Sequence, residues 1–447
     1  MQADYVADYV VVGAGSAGCT VAARLAETGA SVILLEAGPR DTHPMIHIPA
    51  GVRSLIRHPV VNWNFTTEPE KSSGERRIDW PRGRTLGGSS SINGMLYVRG
   101  APADFDGWAQ MGCRGWSWDE VLPFFMKSEQ YAQGGDASVR GQSGPLKVED
   151  YRTILPLTHR FVEGAQQAGF PFNPDLNGKQ RYGVGYSQMT RRGRWRGSTA
   201  QTYLREARRL PNLKVETDAQ AGKLLFEGKR CIGASFRRGG NLTEVRANRE
   251  VIVAGGAVNS PHILQISGIG PAAHLQSLGI PVVHDLPGVG ANLIDHYVVR
   301  VVHRVHGAET MNQIARFPRV LPEVLRFAFT GRGALTFGVT AAQVFCDSRE
   351  GLASPDLQLL FTPGSSHPVK FGELDELPGM SCVVCVVKPD SRGTIMASSA
   401  DPFARPAIHP NYLSTRTDEV ALLSGIEKVR RIFAAPALSQ HSTGEIQ

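Results

Sequence analysis

Cysteine is scarce in this chain: six residues, at positions 19, 113, 231, 346, 382 and 385, are spread over 447. That density excludes a disulfide scaffold. Cys382 and Cys385 form the one CxxC, inside an apolar run that ends at Val387. In a strand, positions i and i+3 face opposite sides, so the pair reads as buried thiols rather than metal ligands. No uninterrupted apolar stretch reaches the roughly 18 residues of a membrane span. The opening MQADYVADYVVVGAG has no basic n-region and runs straight into a strand pattern, so a signal peptide is not expected and the chain reads as cytoplasmic. Charge of one sign is also lacking: 48 Lys and Arg less 41 Asp and Glu leave +7, too dilute to argue for nucleic acid. The densest basic stretch, Arg191, Arg192, Arg194 and Arg196 with Trp195 interleaved, reads as a solvated loop before a helix, touching an anionic cofactor, rather than as a nucleic-acid patch. There is no internal repeat, no GxSxG elbow and no P-loop, which argues against solenoid, hydrolase and kinase readings. His43, His47, His58, His303 and His306 lack metal-ligand spacing with carboxylates, so no metal site is expected.

What is present is an ordinary globular composition, 42% hydrophobic and 20% charged, long enough for two or three domains. Tyr5 to Val12 is β-rich and nearly continuously apolar from Tyr9, as a buried parallel strand requires. Gly13-Ala14-Gly15-Ser16-Ala17-Gly18 follows at once, then Val21, Ala22, Leu25 and Ala26 at helical spacing, with Gly29 where the helix should stop. Ser31 to Glu36 is a second buried strand ending in a carboxylate, 18 residues after Gly18 and close to the roughly 20 expected of an acid that binds a ribose. Gly13 permits a tight turn, Gly15 lets backbone approach a pyrophosphate, and Gly18 lets helix and strand pack closely. The helix N-terminus offers free N–H groups and the positive end of a dipole. This combination implies dinucleotide binding and leaves FAD and NAD both open.

A second informative stretch runs from Gly83 to Gly100, GRTLGGSSSINGMLYVRG. Gly87 and Gly88 with three serines make a loop whose backbone can press against a planar or anionic ligand. This segment resembles the first signature of the glucose–methanol–choline (GMC) family of flavin oxidoreductases, and Gly256-Ala-Val-Asn-Ser260-Pro through Ser267-Gly-Ile-Gly270 resembles the second. Leu35 to Gly38, Pro287 to His296, Ser391 to Gly393, Asp401-Pro402 and Asn411 to Leu413 match in order, so the resemblance spans nearly the whole chain. Among subgroups it is most similar to choline-dehydrogenase-like and alcohol-dehydrogenase-like members.

The resemblance implies FAD rather than NAD. The fold it implies is α/β, α+β overall: a Rossmann-like FAD-binding domain with a discontinuous antiparallel-sheet substrate-binding domain. Residues 1–150 and 196–296 would form the former, 151–195 and 297–447 the latter. Cofactor contacts would come from Gly13, Ala14, Gly15, Ser16, Ala17, Gly18, Glu36, Ala37, Trp63, Arg84, Leu86, Gly87, Gly88, Ser90, Asn93, Gly94, Met95, Leu96, Ala221, Ala254 and Gly255. Where some members attach FAD through a histidine, this chain has Ile92, so the flavin is expected to be non-covalent. Asn212 to Phe236 would be a small β-meander touching adenine, turning at Glu227-Gly228. Phe327 to Phe345 reads either as a border of the substrate cavity or as core.

In this family a histidine takes the hydroxyl proton while hydride passes from the alcohol carbon to flavin N5, and a His or Asn holds the nascent alkoxide. The accompanying His-Pro-x-Gly-Thr pattern does not occur in this sequence, so the resemblance places that pair beyond Gln447, and His441 is not taken as the base. The expected activity is oxidation of the CH–OH group of a primary alcohol to an aldehyde. Oxygen or a quinone-like carrier would accept the electrons, and the oligomeric state stays open. The alternatives are a flavin-containing lyase on the same fold, a non-catalytic FAD-binding fragment, or an NAD-binding protein.

Overall fold

The computed structural model describes residues 5–367 and 372–447. Two six-stranded sheets organise it. The first is built from β1 (Tyr5–Val12), β2 (Val32–Leu35), β3 (Leu213–Glu216), β4 (Gln220–Glu227), β5 (Arg230–Arg238) and β6 (Asn241–Val253), in the order β3-β2-β1-β6-β5-β4. β3, β2, β1 and β6 run parallel, while β5 and β4 fold back antiparallel. Helix α1 (Ser16–Glu27) buries Ala22, Ala23 and Ala26 against Val11, Leu34 and Leu213. The alternate positions Val10, Val12, Ile33 and Leu35 pack on the opposite face with Ala219, Phe236 and Ile263, the last from helix α2 (Gly256–Ile266). Both faces are covered, which is why these strands read as continuous apolar runs. The β-meander expected over Asn212 to Phe236 is found in β4 and β5, with Gly228 at φ 61° in the turn; its first segment, β3, pairs parallel with β2 instead, and the meander runs on into β6.

The second sheet is antiparallel throughout, in the order Ser442–Glu445, Val298–Val305, Gly379–Val386, Leu357–Thr362, Ala342–Cys346 and Gly183–Tyr186. Helices Pro156–Gln167 and Arg416–Ala434 back it through Phe161, Val429, Ile432 and Phe433, which meet Val344, Leu359, Phe361 and Val384 in one core. Cys382 and Cys385 are both buried in Gly379–Val386, and all six cysteines are free. Among the described residues no cluster of metal-ligating side chains occurs, and no helix is long and apolar enough to cross a membrane.

One expectation fails. The stretch Arg191–Arg196 is not a solvated loop but a β-hairpin, with Arg191 opposite Arg196 and Gly193 in the turn. Strand alternation turns both of those arginines fully inward, while Trp195 stays exposed.

Candidate dinucleotide and substrate sites

The turn between β1 and α1 shows why three glycines are needed. Gly13 sits at φ 101°, and a Cβ there would stand 2.6 Å from the Ala254 carbonyl oxygen. A Cβ on Gly18 would lie 1.8 Å from the Gly13 carbonyl oxygen, so helix and turn touch through bare backbone. Gly15 differs: its nearest neighbour would be Gly88 Cα at 4.0 Å, and the position faces open space. It also caps α1 without a side-chain hydrogen bond, so the first N–H groups of the helix point into that space.

That space is a cavity of about 660 Å³. Of the expected contacts, Gly13, Gly15, Ser16, Ala17, Glu36, Ala37, Trp63, Arg84, Gly88, Ala221, Ala254 and Gly255 line it. Glu36 stands at the end of β2, buried, with Oε2 accepting from Ala14 N–H (3.0 Å) and Oε1 from Gly38 N–H (2.9 Å). Burial pushes its carboxyl up to about 7, against those two hydrogen bonds, which favour the anion. Trp63 stacks on Phe65 at 5.6 Å, and the Arg84 guanidinium lies 5.1 Å from the Trp63 ring centre. Arg84 Nε is buried with no hydrogen-bond partner.

The remaining expected contacts lie behind or beside this cavity. Ala14 and Gly18 shape the turn, and Leu86 belongs to the core under α1. Gly87, at φ 85°, places Gly88 against Gly15. Ser90 donates to the Gly87 carbonyl at 2.6 Å and lies within hydrogen-bond reach of Thr199. Asn93 Oδ1 accepts from Met95 N–H (3.0 Å), Gly94 packs on Val339, and Leu96 bridges to Met189. Met95, at φ 61°, is buried with Tyr151, Met189, Phe337 and Ala341.

Phe337 also lines a second cavity of about 310 Å³, with Thr153, Met311, Pro322, Arg326 and Gly333 among others. The run Phe327–Phe345, expected to border the substrate cavity or to be core, divides between a cavity wall and core. Gly333, Ala334 and Phe337 line this cavity, while Phe327 and Phe345 are core.

Sequence reasoning missed several residues of the first cavity: Asn62, Arg82, Gln220, His262, Phe403 and Arg405. His262 is buried with Nε2 unpartnered, and desolvation lowers its pKa to about 4. Phe403 and Arg405 follow the Asp401-Pro402 match, the one sequence signal that could have led to them. Arg196, expected in a solvated loop, is instead a buried support of the site. It donates to the Ile46 carbonyl (2.7 Å) and to Asn93 O (2.6 Å) and Oδ1 (2.9 Å), so it clamps the Gly83–Val98 loop from below. Desolvation lowers its pKa to about 10, which leaves it protonated at neutral pH.

A parallel sheet whose first turn presents a bare helix N-terminus, a buried terminal acid and an open cavity between them defines a dinucleotide-binding protein. The unpartnered Arg84 Nε and the side-chain-free approach at Gly15 fit an anionic, planar cofactor. Comparison with known proteins agrees. The GMC oxidoreductase N-terminal model matches residues 7–298 and the C-terminal model residues 389–446. The chain is 39% identical to an alcohol dehydrogenase [acceptor] of Pseudomonas putida, over 98% of this chain and 80% of that one. It is 40% identical to an oxygen-dependent choline dehydrogenase of Brucella suis, over 99% and 80%. A formate oxidase structure from Aspergillus oryzae superposes with a TM-score of 0.90 at 25% identity, covering 100% of this chain and 84% of that one. The chain belongs to the GMC oxidoreductases, an FAD-dependent family of alcohol-oxidising enzymes. The C-terminal family model thus begins inside the segment read above as substrate-binding domain.

Proposed function

We propose that this protein binds FAD non-covalently and oxidises the CH–OH group of a primary alcohol to an aldehyde, with oxygen or a quinone-like carrier as acceptor. A cytoplasmic location and the boundaries 1–150 with 196–296, and 151–195 with 297–447, belong to the same proposal. The observation that carries it is the continuous wall from Glu36, past the α1 N-terminus, to Arg84 and Trp63, in a chain that matches the GMC models.

In this reading Glu36 accepts the ribose hydroxyls, held in place by Ala14 and Gly38 N–H. The α1 N-terminus and Gly88 hold the pyrophosphate, and Ala221 on β4 lies beside the adenine. Asn93 to Leu96, fixed by Arg196 and by packing on Val339 and Met189, border the reacting end. When bound, the flavin supplies the hydride acceptor. Ile92 supports non-covalent attachment, because it carries no nucleophile and is packed among Ile46, Leu55 and Val61. The relatives above are dehydrogenases and an oxidase, which favours oxidation over the lyase alternative.

The test is the visible spectrum of the purified protein, followed by acid precipitation and by anaerobic addition of aliphatic, aromatic and choline-type alcohols. Flavin bands that move wholly into the acid supernatant, and that bleach with one alcohol class, are the expected result. Flavin left in the pellet would overturn non-covalent attachment, and bands that no alcohol bleaches would overturn alcohol oxidation.

A further inference from the structure

The helix Val320–Thr330 and the turn before it carry an apolar face left open to solvent among the described residues. Phe317 and Phe329 are 79% and 80% exposed, and Leu321, Val324 and Leu325 lie between them at 48%, 42% and 58%. At 100° per residue the helical members fall in one stripe, while Phe327 turns away and is buried. A contiguous apolar patch of this kind marks an interaction surface.

The charges around it indicate the partner. Residues 316–332 hold Arg316, Arg319, Arg326 and Arg332 against Glu323 alone, 4 − 1 = +3, and the four arginines are exposed. Glu323 is turned inward, accepting from Ala334 N–H at 2.5 Å and pairing with Arg326 at 3.7 Å, so the uncompensated charge is that of Arg316, Arg319 and Arg332. At the C-terminal end Arg194 donates to the Phe327 and Ala328 carbonyls, and the half-exposed Trp195 packs edge-on to Phe327 at 5.5 Å. A second copy of the chain would bring the same arginines against these, and like charges repel across an interface. An anionic bilayer is complementary: it takes the apolar stripe into its acyl boundary and leaves guanidinium groups and an indole at headgroup level.

We propose that Val320–Thr330, together with Phe317, is an interfacial helix that seats this protein on an anionic membrane surface. Its 11 residues are too few to span a bilayer, so it lies in the interface plane. The opposite side of the helix, through Arg319, Pro322, Glu323 and Arg326, walls the 310 Å³ cavity that Phe337 also lines. Seating therefore sets that cavity one helix away from the lipid, on the side from which alcohols or electron carriers dissolved there would arrive. This last consequence rests on the proposed oxidoreductase; the membrane contact does not.

The experiment is co-sedimentation of the FAD-loaded protein with phosphatidylglycerol-containing vesicles and with pure phosphatidylcholine vesicles. Binding to the anionic vesicles that weakens with salt is expected. Leu325→Ser with Phe329→Ser should abolish it, and far-UV circular dichroism should not change because both side chains are already in solvent. Arg316→Gln with Arg332→Gln, the two exposed arginines that do not line the cavity, should weaken partitioning about 30-fold, at about 1 kcal/mol per arginine; this pair carries the test if the first variant misfolds. Equal binding to both vesicle types, or to neither, would overturn the proposal. So would a wild-type dimer that Leu325→Ser with Phe329→Ser converts to monomer, which would assign the face to a second copy.

Discussion

The Arg196 guanidinium donates to both oxygens of Asn93, the carbonyl at 2.6 Å and the side-chain oxygen at 2.9 Å, from a position with almost no solvent contact. No carboxylate is among its hydrogen-bond partners; its charge is solvated by neutral oxygens of the Ile46 segment and of the Gly83–Val98 loop. A protein spends a buried cation in this way where a loop of glycines and serines would otherwise choose among many shapes. Arg196→Met should therefore leave several buried oxygens without donors and cost about 3 kcal/mol. The expected outcome is a lowered melting temperature and flavin that washes out on gel filtration. Arg196→Lys should fall between, because an ammonium cannot reproduce the fork to Ile46 and Asn93 together. Full flavin retention by Arg196→Met would show that the loop holds its own shape.

Two glycines of one motif should respond in opposite ways. Alanine at Gly18 forces a carbon to 1.8 Å from the Gly13 carbonyl, so the apoprotein itself should lose stability, by more than about 3 kcal/mol. Alanine at Gly15 meets nothing closer than 4.0 Å. Gly15→Ala should melt like the wild-type apoprotein yet bind FAD at least tenfold more weakly, since its methyl group enters the cavity. Calorimetry on both apoproteins, with fluorescence titration of FAD, separates the two effects. Equal losses of stability would mean that Gly15 serves the fold and not the ligand.

Much of this was legible before any coordinates because its physics is local. Gly13 to Glu36 is one strand–helix–strand unit, so turn, helix N-terminus and terminal acid follow from spacing alone. Arg196 is the opposite case. Its partner Asn93 lies 103 positions away, and nothing in the sequence pairs the two. Four positive charges in six positions are costly to bury, so the arginine-rich stretch looks solvated in the sequence. The hairpin turns only Arg191 and Arg196 inward, and Gly193 between two β-like runs was the available sign of it. The second cavity was half legible for the same reason. The aromatic run around Phe337 is contiguous, but Thr153 and Met311 reach it from distant segments.

A second buried ionic device stands at the far end of the same loop. Glu129 accepts from Arg99 and, through two nitrogens, from Arg140 (2.6 and 3.1 Å), and Arg140 also reaches Asp175 at 2.6 Å. Arg99 follows the Gly83–Val98 loop directly, so this network anchors its exit as Arg196 anchors its middle. Glu129→Ala would leave two guanidinium groups buried without their shared carboxylate, at a cost of about 3–5 kcal/mol. Urea denaturation of the variant should show that loss. If it amounts to less than about 1 kcal/mol, water reaches these side chains in solution.

The pH dependence of the apoprotein should carry the signature of Glu36. Its carboxyl titrates near 4.5 when unfolded and near 7 when folded, because burial between β2 and the glycine turn disfavours the charge. Between those values the folded state holds a proton that the unfolded state has released. Stability from this group is therefore full below about pH 4.5, falls as pH rises, and levels off above about pH 7. The loss is about 3 kcal/mol, taken as the difference between wild type and Glu36→Gln so that other carboxylates cancel. FAD should reverse the trend: ribose hydroxyls donate to the ionised carboxylate, so binding favours the anion and its affinity should rise from pH 5 to pH 7.5. Urea titrations of both apoproteins across that range, paired with FAD titrations, read both slopes. A difference curve that is flat, or that climbs with pH, would show that Glu36 is already ionised in the empty site and that the ligand finds its acceptor preformed.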